Sequence, residues 1–386
     1  MGGLVFAKTT TPAGKPVHTP RISPELYKQL STECQSKLEQ HFDRVVIPRE
    51  APGKADYGDI DLQVGGIKFD HSTPENIWTR LKKVLGTEIN LSRNGSHSYA
   101  IPHPDIPDAY VQVDIELAPG DGTPAAAELF NWTSFMKGDA DLLQILGVSH
   151  RSLGLTCNDK GLHIRVEEIE PQDAKMSFIF LTRDPDTAMK FYGLDTATYW
   201  AGFKDEVDLF DWATSGRFFY PQKYEKLVEK SNDRSRLDKR PMYKRFVTEY
   251  MPAHADRGAS NEWTRRQVLE EALKTFDIQA EYDAKMEEYL FKKAELELWE
   301  DVKSALPLEG NPRKDALRGL RRWVIFEDGM PQITTTPILH DNTVWTKCMA
   351  PGSKEELLGW VKAHWAEARS LERARANAAR AAAMSG

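Results

Sequence analysis

The sequence predicts an α+β protein, in which a mixed sheet with flanking helices precedes a mostly helical half. Between residues 23 and 182, short β-branched or alternating apolar runs are separated by capped helical segments. From about Arg183 onward, apolar residues recur at helical spacing as far as the C-terminal region. The chain has 386 residues, enough for two domains of ordinary size.

Pattern and composition divide the chain into four predicted segments, with the main boundary near residue 183. They are a polar, Pro-containing tail at 1–22 that we expect to be disordered, an α/β domain at 23–182, a helical domain at 183–370, and an Arg/Ala-rich tail at 371–386.

Caps and alternation predict the elements of the first half. Ser23 as an N-cap and Pro24 at the first helical position indicate a helix running to about residue 42. The same pairing of cap and proline predicts a helix at 72–85, and apolar spacing predicts a longer one at 131–153. The predicted strands are 44–48, 59–64, 96–101, 110–117, 162–166 and 176–181.

Helices dominate the prediction for the second half. A helix at 184–192 ends at Gly193, and another covers 206–214. The apolar spacing over 262–306 predicts two helices with a break near Asp277. A capping box at Ser353 opens the C-terminal helix.

The composition of the chain argues against a membrane-spanning protein, a secreted protein and a protein that binds nucleic acid through its overall charge. No apolar run approaches the roughly 18 residues needed to cross a bilayer, and the N-terminal segment has no signal-peptide core. Cys34, Cys157 and Cys348 are far apart, which predicts free thiols in an intracellular compartment, the cytoplasm or the nucleus. A net charge of −7 argues against bulk attraction to nucleic acid, although a local basic patch could still bind it.

Two predicted strands carry acidic residues in a pattern that suggests a metal site. Asp59 and Asp61 are two residues apart, so they share one face of their strand. Asp114 lies on a later strand of the same design, with Glu116 facing the same way. If the strands are neighbours, the acids converge, and a divalent cation relieves their repulsion. Carboxylate oxygens suit Mg²⁺ or Mn²⁺.

The order of these features resembles the DNA polymerase beta-like nucleotidyltransferase superfamily over about residues 24–182. A helix, a strand and loop, a D-x-D motif, a helix and a strand with one more Asp form the shared layout. The block from Lys54 to Asp61 is similar to a variant found in phage, bacterial and fungal members, K-x-x-x-G-D-hydrophobic-D.

The resemblance implies roles for individual residues. Asp59, Asp61 and Asp114 would be the catalytic carboxylates and the ligands of Mg²⁺ or Mn²⁺. The familiar Gly-Ser of the family's nucleotide loop is missing here. Gly53 and Lys54, with Gly58, take its place in the prediction as the nucleotide-binding residues.

The implied activity is transfer of NMP from an NTP to an acceptor that the sequence leaves open: RNA, a protein side chain or a small molecule. Synthesis of a nucleotide second messenger uses the same core. The alternative is a catalytically inactive protein of this fold that binds nucleotide or RNA. The sequence leaves the oligomeric state open and predicts no membrane partner.

A basic stretch at 217–245 is the candidate surface for RNA. It holds ten Lys or Arg against four acids, with aromatic residues interleaved. Cations with aromatics suit single-stranded nucleic acid, because phosphates need positive charge and bases can stack. The competing interpretation is a solvated helix face whose aromatic residues belong to the core.

Overall fold

The computed structural model describes residues 3–68, 76–93, 95–225, 237–339 and 344–384. The chain forms two compact units, 1–279 and 280–386. The predicted boundary near residue 183 therefore falls inside the first unit. The helices that follow residue 183 pack with the α/β region as far as Gln279, which composition and periodicity do not reveal.

The first unit contains a five-stranded mixed sheet with the order β1-β2-β5-β4-β3. Strands β2 and β5 are parallel, while the other neighbouring pairs are antiparallel. The strands are β1 (Phe42–Val46), β2 (Asp59–Ile67), β3 (Asn90–Arg93), β4 (Ser96–Pro102) and β5 (Tyr110–Leu117). The predicted adjacency of the two acid-bearing strands is confirmed.

One face of this sheet is apolar and is covered by helices α1 (Pro24–Leu38) and α2 (Ile77–Leu85). The Ser23 side chain accepts a hydrogen bond from Leu26 N and so caps α1, as predicted. Alternation along β2 turns Ile60 and Leu62 toward these helices, where both are buried. The proposed start of α2 at residues 72–74 lies outside the described residues.

The opposite face of the sheet, here called the acid face, carries the acidic residues of β2 and β5. Helix α3 (Ala126–Lys137) covers one part of it, where Gln63 Nε2 donates to Phe130 O and Thr133 Oγ1 at 2.8 Å. Residues 3–19, here called the N-terminal segment, cover another part.

The N-terminal segment differs from the prediction of a disordered tail at 1–22. Its Phe6 is fully buried against Val17, Ile89 and Ala100. Isolated bridges also join His18 to Ala109 and Ile22 to Tyr57. A single buried aromatic ring supplies the apolar anchor that the polar composition of the segment conceals.

The predicted helix at 131–153 is two helices, α3 and α4 (Leu142–Ser152). Asp139 and Ala140 adopt left-handed conformations between them, with φ of 56° and 51°. Asp visits this region more readily than most residues, but Ala does not, so propensity does not predict two successive left-handed residues here.

A second, antiparallel sheet and further helices complete the first unit. The sheet consists of β6 (Leu155–Asn158), β7 (Gly161–Arg165) and β8 (Phe178–Thr182), and the predicted pair at 162–166 and 176–181 is part of it. The longer helices are α5 (Pro185–Tyr192), α6 (Thr196–Ala201), α7 (Glu206–Thr214) and α8 (Arg265–Phe276). Shorter helical turns are Gln222–Glu225, Pro241–Arg245 and Met251–Ala253, with a π-helical turn at Phe246–Tyr250.

The second unit is mainly helical and has its own core. It contains α9 (Gln279–Ala305), α10 (Gly310–Trp323), a hairpin of β9 (Val324–Glu327) and β10 (Met330–Ile333), a short helix Trp345–Cys348, and α11 (Lys354–Met384). Asp277, with φ of 52°, separates α8 from α9, as the sequence predicts. The proposed Arg/Ala-rich tail at 371–386 continues α11, and Glu372 is buried beside Arg322 and Arg375. Among the described residues, no helix is long and apolar enough to cross a membrane.

Candidate functional site

Strand register brings the three predicted acids onto the acid face. In the parallel pair β2–β5, Asp61 lies opposite Asp114, and Asp59 lies opposite Gln112. Residues directly opposite each other in a sheet share a face, and residues two apart on one strand do so as well. Asp59, Asp61 and Asp114 therefore point to the same side, and the predicted placement on one face is confirmed.

Asp59 lies against the N-terminal segment. Its Oδ2 atom accepts a hydrogen bond from Gly3 N at 3.1 Å. Gly3 has a φ of 82°, and a Cβ at this position would lie 2.3 Å from Gly58 O. Only glycine permits this approach of the segment to the strand that carries Asp59.

Asp61 is surrounded by charges of its own sign. Burial, with repulsion from Asp59, Asp114 and Glu50, raises the pKa of Asp61 to about 7, against a smaller opposing effect of Lys137. Although its surroundings disfavour the charged form, Asp61 is an exposed residue of the acid face. Asp61 is thus the acid of the three that a cation could reach directly from solvent.

Asp114 is held more firmly. Its Oδ2 atom accepts a hydrogen bond from Gln112 Nε2 at 2.8 Å. Its Oδ1 atom is buried and has no hydrogen-bond partner among the described residues. Burial raises the pKa of Asp114, while Ser98 and Gln112 lower it. A buried carboxylate oxygen without a partner is costly, and a bound cation would remove that cost.

The donor set fits Mg²⁺ or Mn²⁺, because it consists of carboxylate oxygens on one face. The acids are nevertheless not drawn together: among the described residues, no group of three or more His, Cys, Asp or Glu side chains is arranged to hold a metal ion. Asp59 and Asp114 each already accept a hydrogen bond from the protein, from Gly3 N and Gln112 Nε2.

The predicted nucleotide-binding residues lie in the loop that leads into β2. Lys54 Nζ pairs with Glu50 Oε2 at 2.7 Å and lies 4.5 Å from the centre of the Tyr57 ring. Gly53 has a φ of 69° and open space around it, whereas Gly58 is buried. Lys54 would have to leave Glu50 in order to bind a phosphate.

A cavity of about 400 Å³ adjoins the acid face beside α3. Ser134, which lines it, lies with its Oγ atom 3.0 Å from Gln63 Nε2, and Gln63 is two residues from Asp61 on the same face. The cavity wall includes Tyr199 and the exposed ring of Trp200. The Trp200 ring could stack on a planar base, but none of Asp59, Asp61 and Asp114 lines the cavity.

Sequence reasoning missed three contributors to this site. Gln112 has no role in the prediction, although its spacing of two residues from Asp114 is a usable signal. Glu50, which acts on Asp61, and Gly3, which bonds Asp59, are distant in sequence. Glu116 pairs with Lys137 at 2.8 Å and is close enough to Asp114 to raise its pKa.

The basic stretch at 217–245 does not present its described aromatic residues as a surface on which bases could stack. Its aromatic residues Phe218, Phe219, Tyr224 and Tyr243 are buried in the core. Arg217 pairs with Glu271, and Arg240 pairs with Asp141. Buried rings cannot stack on bases, so the core interpretation holds for these four residues. Residues 226–236, including Arg234 and Arg236, lie outside the described residues.

Comparison with known proteins adds one distant likeness. No protein-family model matches the chain, and no curated protein matches it. Among solved structures, a crystal structure of the polymerase beta of Leishmania infantum, described as a ternary P/T complex, matches with a TM-score of 0.32 and 13% identity. The match covers 46% of this chain and 74% of that one. At these values the likeness neither assigns a family nor transfers a function.

Proposed function

We propose that the acid face is the site of a metal-dependent nucleotidyl transfer, in which NMP passes from an NTP to an acceptor. The observation that carries this proposal is the register of β2 and β5, where Asp61 lies directly opposite Asp114 and Asp59 is on the same face. The raised pKa of Asp61 and the unpartnered oxygen of Asp114 support a missing positive charge at this place.

In this proposal Asp59, Asp61 and Asp114 hold Mg²⁺ or Mn²⁺. The cation, when bound, neutralises phosphate charge and favours departure of pyrophosphate. Lys54 exchanges its bond with Glu50 for a phosphate oxygen, and the turn at Gly53 leaves room for the triphosphate. The base stacks on the exposed ring of Trp200 at the cavity beside α3.

The test is incubation of the full chain with each α-labelled NTP, Mg²⁺ or Mn²⁺, and RNA, protein or small-molecule acceptors. We expect label to enter one acceptor class, and Asp61→Asn or Asp114→Asn to abolish transfer, because both remove charge that stabilises the transition state. Glu33→Gln is the matched control. Glu33 is exposed on α1, on the opposite side of the sheet, so this variant should keep full activity. Full activity of Asp61→Asn would refute the mechanism.

The second candidate is a catalytically inactive protein of this fold that binds nucleotide or RNA. The bonds from Gly3 and Gln112 favour it, since Asp59 and Asp114 already have hydrogen-bond partners within the protein. Binding of an NTP with no transfer under any of the conditions above would support this candidate over the first.

A further inference from the structure

Gln112 is a buried amide whose two ends are both engaged on the acid face. Its side chain lies in β5 and is only 1% exposed. The Oε1 atom accepts a hydrogen bond from Val5 N at 3.1 Å, and the Nε2 atom donates to Asp114 Oδ2 at 2.8 Å. Gln112 thus links the backbone of the N-terminal segment to one of the predicted metal ligands.

The Val5 N–H group determines which end of the amide faces Asp114. If the amide were flipped, its oxygen would face the Asp114 carboxylate and its NH₂ group would face Val5 N–H. Both contacts would be unfavourable, since acceptor would meet acceptor and donor would meet donor. The observed orientation is therefore fixed by a residue 107 positions away in sequence.

The N-terminal segment is itself well anchored. Thr19 Oγ1 donates to Gly3 O at 2.7 Å, and Phe6 is fully buried in the cluster that contains Ala100 of β4. Ala100 lies opposite Gln112 in the sheet. The segment can therefore hold the Val5 N–H group in a constant place beside the amide.

We propose that Gln112 is a positioning residue for Asp114, and that the Val5 N–H group sets its orientation. The bond from Gln112 occupies Oδ2 and holds the carboxylate so that Oδ1 is the oxygen left for a divalent cation. This inference rests on the proposed function, because it assigns the support of that same metal site. Such supporting hydrogen bonds commonly change metal affinity or activity 10- to 100-fold.

The test measures Mn²⁺ binding to the full chain without nucleotide, from the electron paramagnetic resonance signal of free Mn²⁺. Gln112→Met keeps the length of the side chain and removes the donor, and Val5→Pro replaces the N–H group by a ring carbon that displaces the amide oxygen. Val5 occupies the second position of the turn closed by Ala7 N and Leu4 O at 3.2 Å, where proline is favoured. We expect both variants to bind Mn²⁺ roughly 10-fold more weakly. Val5→Ala keeps the N–H group and should bind as the wild type does.

A transfer assay separates positioning from a general structural defect. Positioning predicts that Gln112→Met needs more Mg²⁺ for half-maximal rate but approaches the wild-type rate at saturating Mg²⁺. A lowered rate at every Mg²⁺ concentration, with a lowered melting temperature, would overturn it. Gln112→Met and Val5→Pro each break the link from Val5 N–H through Gln112 to Asp114. If only one of the two variants folds, that variant alone tests the positioning role.

The Asp61→Asn variant distinguishes failure of the proposed metal site from failure of the proposed role of Gln112. If this variant binds Mn²⁺ weakly while Gln112→Met and Val5→Pro bind as the wild type does, the positioning role is refuted and the proposed function stands. If Asp61→Asn binds Mn²⁺ as tightly as the wild type, the proposed metal site fails, and the role of Gln112 fails with it.

Discussion

At the residue scale, Asp61 is a carboxylate whose surroundings on the acid face disfavour its charged form. The pKa of Asp61 is about 7 in the folded chain, whereas an ordinary Asp in the unfolded chain loses its proton at about pH 4. Between these two pH values, the folded chain therefore binds a proton that the unfolded chain has lost. The free energy of unfolding therefore falls as pH rises from about 4 to 7, and the full cost is present above pH 7.

Asp61→Asn should accordingly raise the melting temperature at pH 8 in metal-free buffer, because the amide carries no charge to be repelled. The gain should shrink at pH 5, where the folded wild type is already protonated. Thermal melts in EDTA at the two pH values, with Glu33→Gln as the control, measure both effects. A melting temperature at pH 8 equal to or below that of the wild type would contradict the electrostatic account.

At the element scale, Arg49 ties the end of β1 to the break between α3 and α4. Its Nη2 atom pairs with Asp139 Oδ2 at 2.6 Å, and the guanidinium lies 4.2 Å from the centre of the Tyr199 ring. Asp139 N also donates to Arg49 O at 2.8 Å. These contacts hold the left-handed turn of Asp139 that neither helix propensity nor capping would produce.

Arg49→Met should lower the free energy of unfolding by about 3 kcal/mol, because it leaves a buried carboxylate without its cation. The Asp139 side chain is only 4% exposed, so water cannot replace the lost charge. Adding Asp139→Asn to this variant should recover part of the loss, since no unpaired charge then remains. Urea unfolding of the single and double variants measures this. A loss below about 1 kcal/mol, as for surface pairs, would show that the pair is not structural.

Elements that depend on residues close together in the chain were predicted, whereas contacts between distant residues were not. β5 was predicted to the residue, because alternation over 110–117 depends only on neighbours along the strand. The register that sets Asp61 opposite Asp114 was not derivable, but the shared face was, since alternation fixes it once the strands are adjacent. The bonds of Gly3 and Val5 escaped prediction, because they depend on backbone groups far along the chain.

At the scale of the whole molecule, the chain divides into its two units at Gln279 because each unit has its own hydrophobic core. The amino-acid composition does not change at this position. The core of the second unit lies entirely within 298–368, with fully buried residues such as Val302, Leu320 and Val361. A core contained in one stretch of chain is the usual mark of a unit that folds alone. We therefore expect a fragment of residues 280–386 to fold with helical secondary structure.

Two glycines in that fragment provide a matched test of its packing. Gly319 lies in α10, where a Cβ would be 2.4 Å from Ala368 O, whereas a Cβ at Gly359 in α11 would meet nothing within 4 Å. Gly319→Ala should destabilise the fragment by about 1–3 kcal/mol, because the backbone of α11 must move away. Gly359→Ala should stabilise it by up to about 1 kcal/mol, because alanine favours the helix. Urea unfolding followed by circular dichroism measures both, and effects of the same sign would mean that α10 and α11 do not pack at Gly319 in the folded fragment.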